Sequence, residues 1–118
     1  MKKILEDLVL IGNSQKTYKL FGKNWTFKTL TNDEVVKAND STRTFDTITR
    51  VNTLRVAQLS RSIVKIDDEP VTQKEMQDAL SKLQESLVEM LYDKYMELQN
   101  EQKEELEKLQ DNDEDLKN

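Results

Sequence analysis

Apolar and polar positions change period several times along this chain, and each change marks an element. Near the N-terminus Ile4, Leu5 and Leu8 share one face of a short helix, while Leu8-Val9-Leu10-Ile11 also reads as a strand. A run this short fits both periods. Gly12-Asn13-Ser14 ends it. Over residues 17–29 the period is two: Tyr18 and Leu20 alternate with Lys19, and Trp25 and Phe27 alternate with Thr26 and Lys28. Phe21-Gly22-Lys23-Asn24 separates the two runs, which predicts a β-hairpin with Tyr18, Trp25 and Phe27 on one apolar face. An isolated hairpin is marginal in water, so that face requires a covering element.

Helical periodicity follows. Thr31 with Glu34 three residues on is a capping-box pattern, opening a short helix through Val35, Val36 and Ala38. Asn39-Asp40-Ser41-Thr42 breaks it and can cap the next helix. Residues 43–64 read as an amphipathic helix, with Phe45, Ile48, Asn52, Val56, Leu59 and Ile63 inside an arc of about 80°. Asn52 lies mid-stripe, either bonding across a helix interface or lying at the edge of the buried strip. Ile66-Asp67-Asp68-Glu69-Pro70 reads as a turn. Thr72 with Glu75 is a second capping box, and the spacing predicts one long helix from 73 to about 109. Met76, Leu80, Leu83, Leu87, Met90, Leu91 and Leu98 line one side of it, and Val88, Tyr92, Tyr95 and Met96 widen its apolar girth. Such a girth needs more than one neighbour. The expected fold is α+β and mainly α: an N-terminal β-hairpin, a short helix, and a long antiparallel two-helix hairpin. The expected organisation is a single domain over 1–100 and an acidic C-terminal helical extension or tail, partly disordered, over 101–118.

Composition narrows the chemistry. Among 118 residues there is no Cys and no His, which removes disulfides, thiol nucleophiles, imidazole acid–base catalysis and Cys or His metal sites. Only 36% of residues are apolar, so the core is small. Gly12 to Thr17 ends like a phosphate-binding loop, but Leu10 and Gln15 stand where that loop needs glycines. Asp67-Asp68-Glu69 lacks the central Gly and closing Glu of a calcium loop. Asn24-Trp25-Thr26 matches a glycosylation sequon, yet Glu6 and Asp7 interrupt any signal-peptide apolar region. No enzyme, cofactor or metal is expected, and no apolar run is long enough for a membrane span.

Charge is unevenly placed. Residues 1–100 carry 15 basic and 15 acidic side chains, and residues 101–118 carry 3 and 8, so the whole net charge of -5 belongs to the tail. Its densest part is Asp111-Asn112-Asp113-Glu114-Asp115. Arg43, Arg50 and Arg61 fall within about 20° of one another on the polar side of their helix. An acidic protein partner suits that row better than nucleic acid, because the chain is acidic and no aromatic residues interleave with it. Met90, Leu91, Tyr92, Tyr95 and Met96 are the candidate partner-binding surface, since Tyr and Met suit protein interfaces. Their girth is also compatible with a homo-oligomer.

The order of signals carries a resemblance. Phe21-Gly22-Lys23-Asn24-Trp25-Thr26-Phe27 precedes Leu30-Thr31-Asn32-Asp33-Glu34; then come Phe45-Asp46-Thr47-Ile48-Thr49-Arg50, Leu59 to Asp68, and Leu91-Tyr92-Asp93-Lys94-Tyr95-Met96-Glu97-Leu98. This layout, over about residues 20–100, resembles small accessory proteins of tailed bacteriophages, notably tail assembly chaperones and baseplate-hub assembly proteins. Asp68 stands where such proteins usually have Gly. The resemblance implies non-enzymatic assembly work: binding a virion protein client such as a phage tail or tape measure protein in the host cytoplasm, or becoming a minor structural subunit of the virion. A regulatory or nucleic-acid-binding protein using the arginine row is the further alternative.

Overall fold

Two tight turns hold the sheet in register. Phe21 and Gly22 take φ of 54° and 74°, and Asp67 and Asp68 take 50° and 66°. Two consecutive left-handed residues match the right-handed twist of an antiparallel hairpin. In the computed structural model, residues 2–43 and 46–117 are described, apart from the side chains of Val9, Thr47, Ile48 and 111–117. The element order is α1 Lys2–Leu10, β1 Gln15–Leu20, β2 Lys23–Lys28, α2 Asn32–Asp40, α3 Thr47–Ser62, β3 Ile63–Ile66, β4 Glu69–Pro70, α4 Gln73–Lys82 and α5 Glu85–Lys117. The four strands form one antiparallel sheet in the order β1-β2-β3-β4.

The predicted hairpin is present, with Tyr18 opposite Trp25 and Lys16 opposite Phe27. Trp25 and Phe27 are buried, and Tyr18 meets Phe27 edge-on at 5.6 Å. The indole Nε1–H donates to the Leu20 carbonyl at 2.9 Å, so the buried ring keeps a polar partner. Leu59 and Ile63 from the α3 end, Met76 and Leu80 from α4, and Val88, Leu91, Tyr95 and Leu98 from α5 complete the core. Both capping boxes close as the pattern requires, Thr31 with Glu34 and Thr72 with Glu75.

Three expectations need correction. Residues 63–70 are not a helix end and a turn but the β3–β4 hairpin. Ile63 takes extended backbone at the α3 C-cap, and Ile63-Val64-Lys65-Ile66 continues as a strand beside β2. Two β-branched residues at its start favour the strand. Asp67 locks this turn to the sheet: its N–H donates to the Asn24 carbonyl, and its Oδ1 accepts from the Asn24 N–H, both at 2.8 Å. Pro70 is tolerated because β4 is an edge strand.

Next, the helix expected from 73 to about 109 is two helices. Leu83 is extended (φ -79°, ψ 158°) and ends α4, and the Gln84 carbonyl accepts from Leu87 and Val88 to start α5. One straight helix would hold a single axis. The break lets Met76 and Leu80 stay in the core beside α3 while Leu91, Tyr95 and Leu98 reach the core from α5. Helix α5 then continues through Lys117, past the expected end near 109.

Finally, α3 starts at Thr47 rather than 43, with Asp46 as its N-cap accepting from the Thr49 N–H at 2.9 Å. Phe45, expected on its apolar stripe, and the side chains of Ile48 and Asp111–Asp115 lie outside the described residues. No helix among the described residues is long and apolar enough to cross a membrane.

Candidate interaction surface

The structure divides the expected partner-binding segment of α5 between core and surface. Leu91 and Tyr95 are 0% and 3% exposed, so they hold the fold together and present nothing to a partner. Tyr92 is half-buried: its hydroxyl donates to Gln58 Oε1 at 2.8 Å, its ring lies 5.5 Å from that of Tyr95, and the Arg55 guanidinium sits 5.7 Å from its centroid. Met90 and Met96 remain exposed. They are six positions apart, about 120° around the helix from each other, so they do not make one patch. The face carrying Leu91, Tyr95 and Leu98 is the one that packs into the core.

The arginine row is also taken apart. Arg43 precedes the α3 N-cap and has no helical phase with the others. Arg50 is exposed on α3, and Arg61 is half-buried, donating to the Ala57 carbonyl at 2.9 Å. Arg55, outside the expected row, is the arginine that links helices, reaching Glu89 of α5 at 3.4 Å. Asn52 is exposed and lines two clefts, one of about 210 Å³ between α3, α4 and the start of α5, and one of about 340 Å³ between α3, α4 and Ser41-Thr42. It is therefore on the groove wall, not in the buried strip.

Another surface stands out. Ile4, Leu5, Leu8 and Ile11 are 57, 58, 56 and 54% exposed. They span an arc of about 120° on one side of α1 and the turn after it. No protein-family model, curated protein or solved structure matches this chain. Helix α1 has nine residues, too few for a stable helix in water without a packing partner. Yet it makes no extensive contact with any other described element.

What holds α1 is its C-terminal end. Gly12 takes φ of 79°, and a Cβ there would meet Gln102 Nε2 at 3.1 Å and Leu106 Cδ1 at 3.3 Å. The Gln102 side-chain amide donates to the Gly12 carbonyl, and Thr29 Oγ1 donates to the same oxygen. Glycine is needed both for the left-handed backbone and for the close approach to α5. The apolar arc is thus displayed on an anchored, otherwise unpacked helix. The helix pattern of Ile4, Leu5 and Leu8 was present in the sequence; that they stay exposed among the described residues was not.

Phe21, 47% exposed at the opposite end of the hairpin, is a smaller apolar point. A bulky side chain held in a left-handed turn position carries a conformational cost.

Lys28 and Glu34 form an ion pair at 2.7 Å, where β2 leads into α2. Burial pushes the Glu34 carboxyl up, but the bonds from Lys28 and the Thr31 N–H outweigh it and hold it below the usual value of 4.5. Burial pushes the Tyr92 and Tyr18 phenols up, and takes Tyr95 to about 12. These shifts follow from packing and ion pairing.

Proposed function

We propose that this protein is a non-enzymatic assembly protein that works by covering an apolar segment of another polypeptide, and that the α1 arc is its binding surface. The observation that carries the reading is the exposure of Ile4, Leu5, Leu8 and Ile11 on a helix too short to be stable unaided. An amphipathic helix of this kind binds by laying its apolar face against an apolar groove or a second helix. The rest of the chain supplies the platform, with α3 packed on α4 and α5 and sharing a core with the sheet. The expected site therefore moves from Met90, Leu91, Tyr92, Tyr95 and Met96 to α1.

The setting follows the resemblance to tailed-phage accessory proteins: a tail or baseplate assembly chaperone in the host cytoplasm, with a tail or tape measure protein as client. A minor structural subunit of the virion is the second reading. It is favoured by the reach of α5, which is 33 residues long and whose described side chains beyond Leu106 are all exposed. Co-expression with a tape measure protein tests the first reading. The wild-type chain is expected to keep the client soluble and co-purify with it, and L5S/L8S is expected to lose both effects. Purified particles separate the two readings: a subunit stays in them and a chaperone does not.

A further inference from the structure

Helix α1 carries its charges in the same order on both flanks of its apolar arc. Lys2 and Glu6 lie on one flank of the apolar arc, and Lys3 and Asp7 lie on the other. On both flanks the lysine comes first and the carboxylate follows four residues later. Among the described residues, none of these four side chains forms an ion pair. The order also runs against the helix dipole, with no acidic residue in the first turn and no basic residue in the last.

We infer that α1 pairs with α1 of a second copy, antiparallel, apolar arc to apolar arc. This rests on the α1 surface argued above and names an occupant for it. In an antiparallel pair like flanks face each other. Centred between Ile4 and Leu5, that arrangement sets Lys2 of each copy against Glu6 of the other, and Lys3 against Asp7. It also moves both lysines toward the negative C-terminal end of the opposing helix, which reverses the unfavourable dipole contact. A parallel pair would instead set lysine against lysine and carboxylate against carboxylate. An anionic lipid surface suits the arc less well, because Glu6 and Asp7 would face it alongside the lysines.

The surface is small. Four half-exposed side chains offer roughly 400 Å², about half of what one partner contributes to a standard stable interface. The pairing is therefore weak and dependent on concentration, which leaves the arc available to a client that covers it more completely.

Sedimentation velocity of the full chain at a series of concentrations tests this. The expected result is a shift from the 13.8 kDa monomer toward twice that mass as concentration rises. L5S/L8S and K2E/K3E are each expected to lose the shift. An equimolar mixture of K2E/K3E with E6K/D7K is expected to regain it, because each copy then meets the opposite charge. A monomer at every concentration overturns the inference, as does a dimer indifferent to L5S/L8S or to charge reversal. So does association that appears only when anionic vesicles are added. Failure here leaves the client reading intact if L5S/L8S still abolishes co-purification of the tape measure protein. Loss of the client reading is shown instead when L5S/L8S captures the client as well as wild type.

Discussion

The Tyr92 hydroxyl donates to Gln58 Oε1 at 2.8 Å, joining α5 to α3 across the side of the core. With Tyr95 buried next to it, this tyrosine pair belongs mainly to the fold. Tyr92→Phe removes one part-buried hydrogen bond and is expected to cost about 0.5–1.5 kcal/mol in urea unfolding. Tyr95→Ser leaves a cavity among core side chains and is expected to cost on the order of 3 kcal/mol or more. Neither change is expected to impair client capture by the protein that remains folded.

The Phe21-Gly22 turn offers the opposite sign. Phe21→Asn creates an Asn-Gly turn suited to two left-handed residues. Phe21 is half-exposed, so little packing is lost. Thermal unfolding is expected to show a gain of about 0.5–1 kcal/mol. A loss would mean that the Phe21 ring contributes more contact than its exposure indicates.

Much of the fold was legible where the local signal is strong and self-contained. Thr31-Glu34 and Thr72-Glu75 each need only their own turn to form, and both appear as read. The alternation around Trp25 likewise fixed the first hairpin. The β3–β4 hairpin was hidden because Ile63 and Ile66 also continue a helical stripe, and its turn is Asp67-Asp68 rather than a glycine pair. The α4–α5 break was hidden because no Gly or Pro marks it; Leu83 is extended and packs against the core. The packing of the expected partner-binding segment was hidden for the same reason. An apolar girth at Leu91 and Tyr95 cannot say which neighbours it meets, and the exposure of α1 depends on what the rest of the chain leaves uncovered.

Replacing Gly12 with Ala is expected to loosen the attachment of α1. The new Cβ crowds Gln102 and Leu106, and the left-handed backbone adds strain of about 1 kcal/mol. Amides of residues 2–10 are expected to exchange faster, with those of α5 residues 91–98 unchanged.

Stability is expected to fall at both pH extremes, for separate reasons. The folded Tyr95 phenol keeps its proton to about pH 12, while the unfolded phenol releases it near 10. Its contribution is therefore full below pH 10 and lost as pH rises from 10 toward 12. Phenolate absorbance should lag behind that of the urea-unfolded chain across this window. The Glu34 carboxyl is held below 4.5, so its contribution is full above that value and lost as pH falls through the lower folded value. Lys28→Met is expected to reduce the acid-side change in urea-unfolding stability.

We propose that α1 is an interaction surface and not a poorly packed piece of the core. Amide hydrogen exchange of residues 2–10 across a dilution series tests it most directly. The expected result is protection that rises with protein concentration, while core amides at 59–63 and 91–98 keep the same protection throughout. Protection of α1 that is equally strong at every dilution would contradict it, because the helix would then be covered by its own chain.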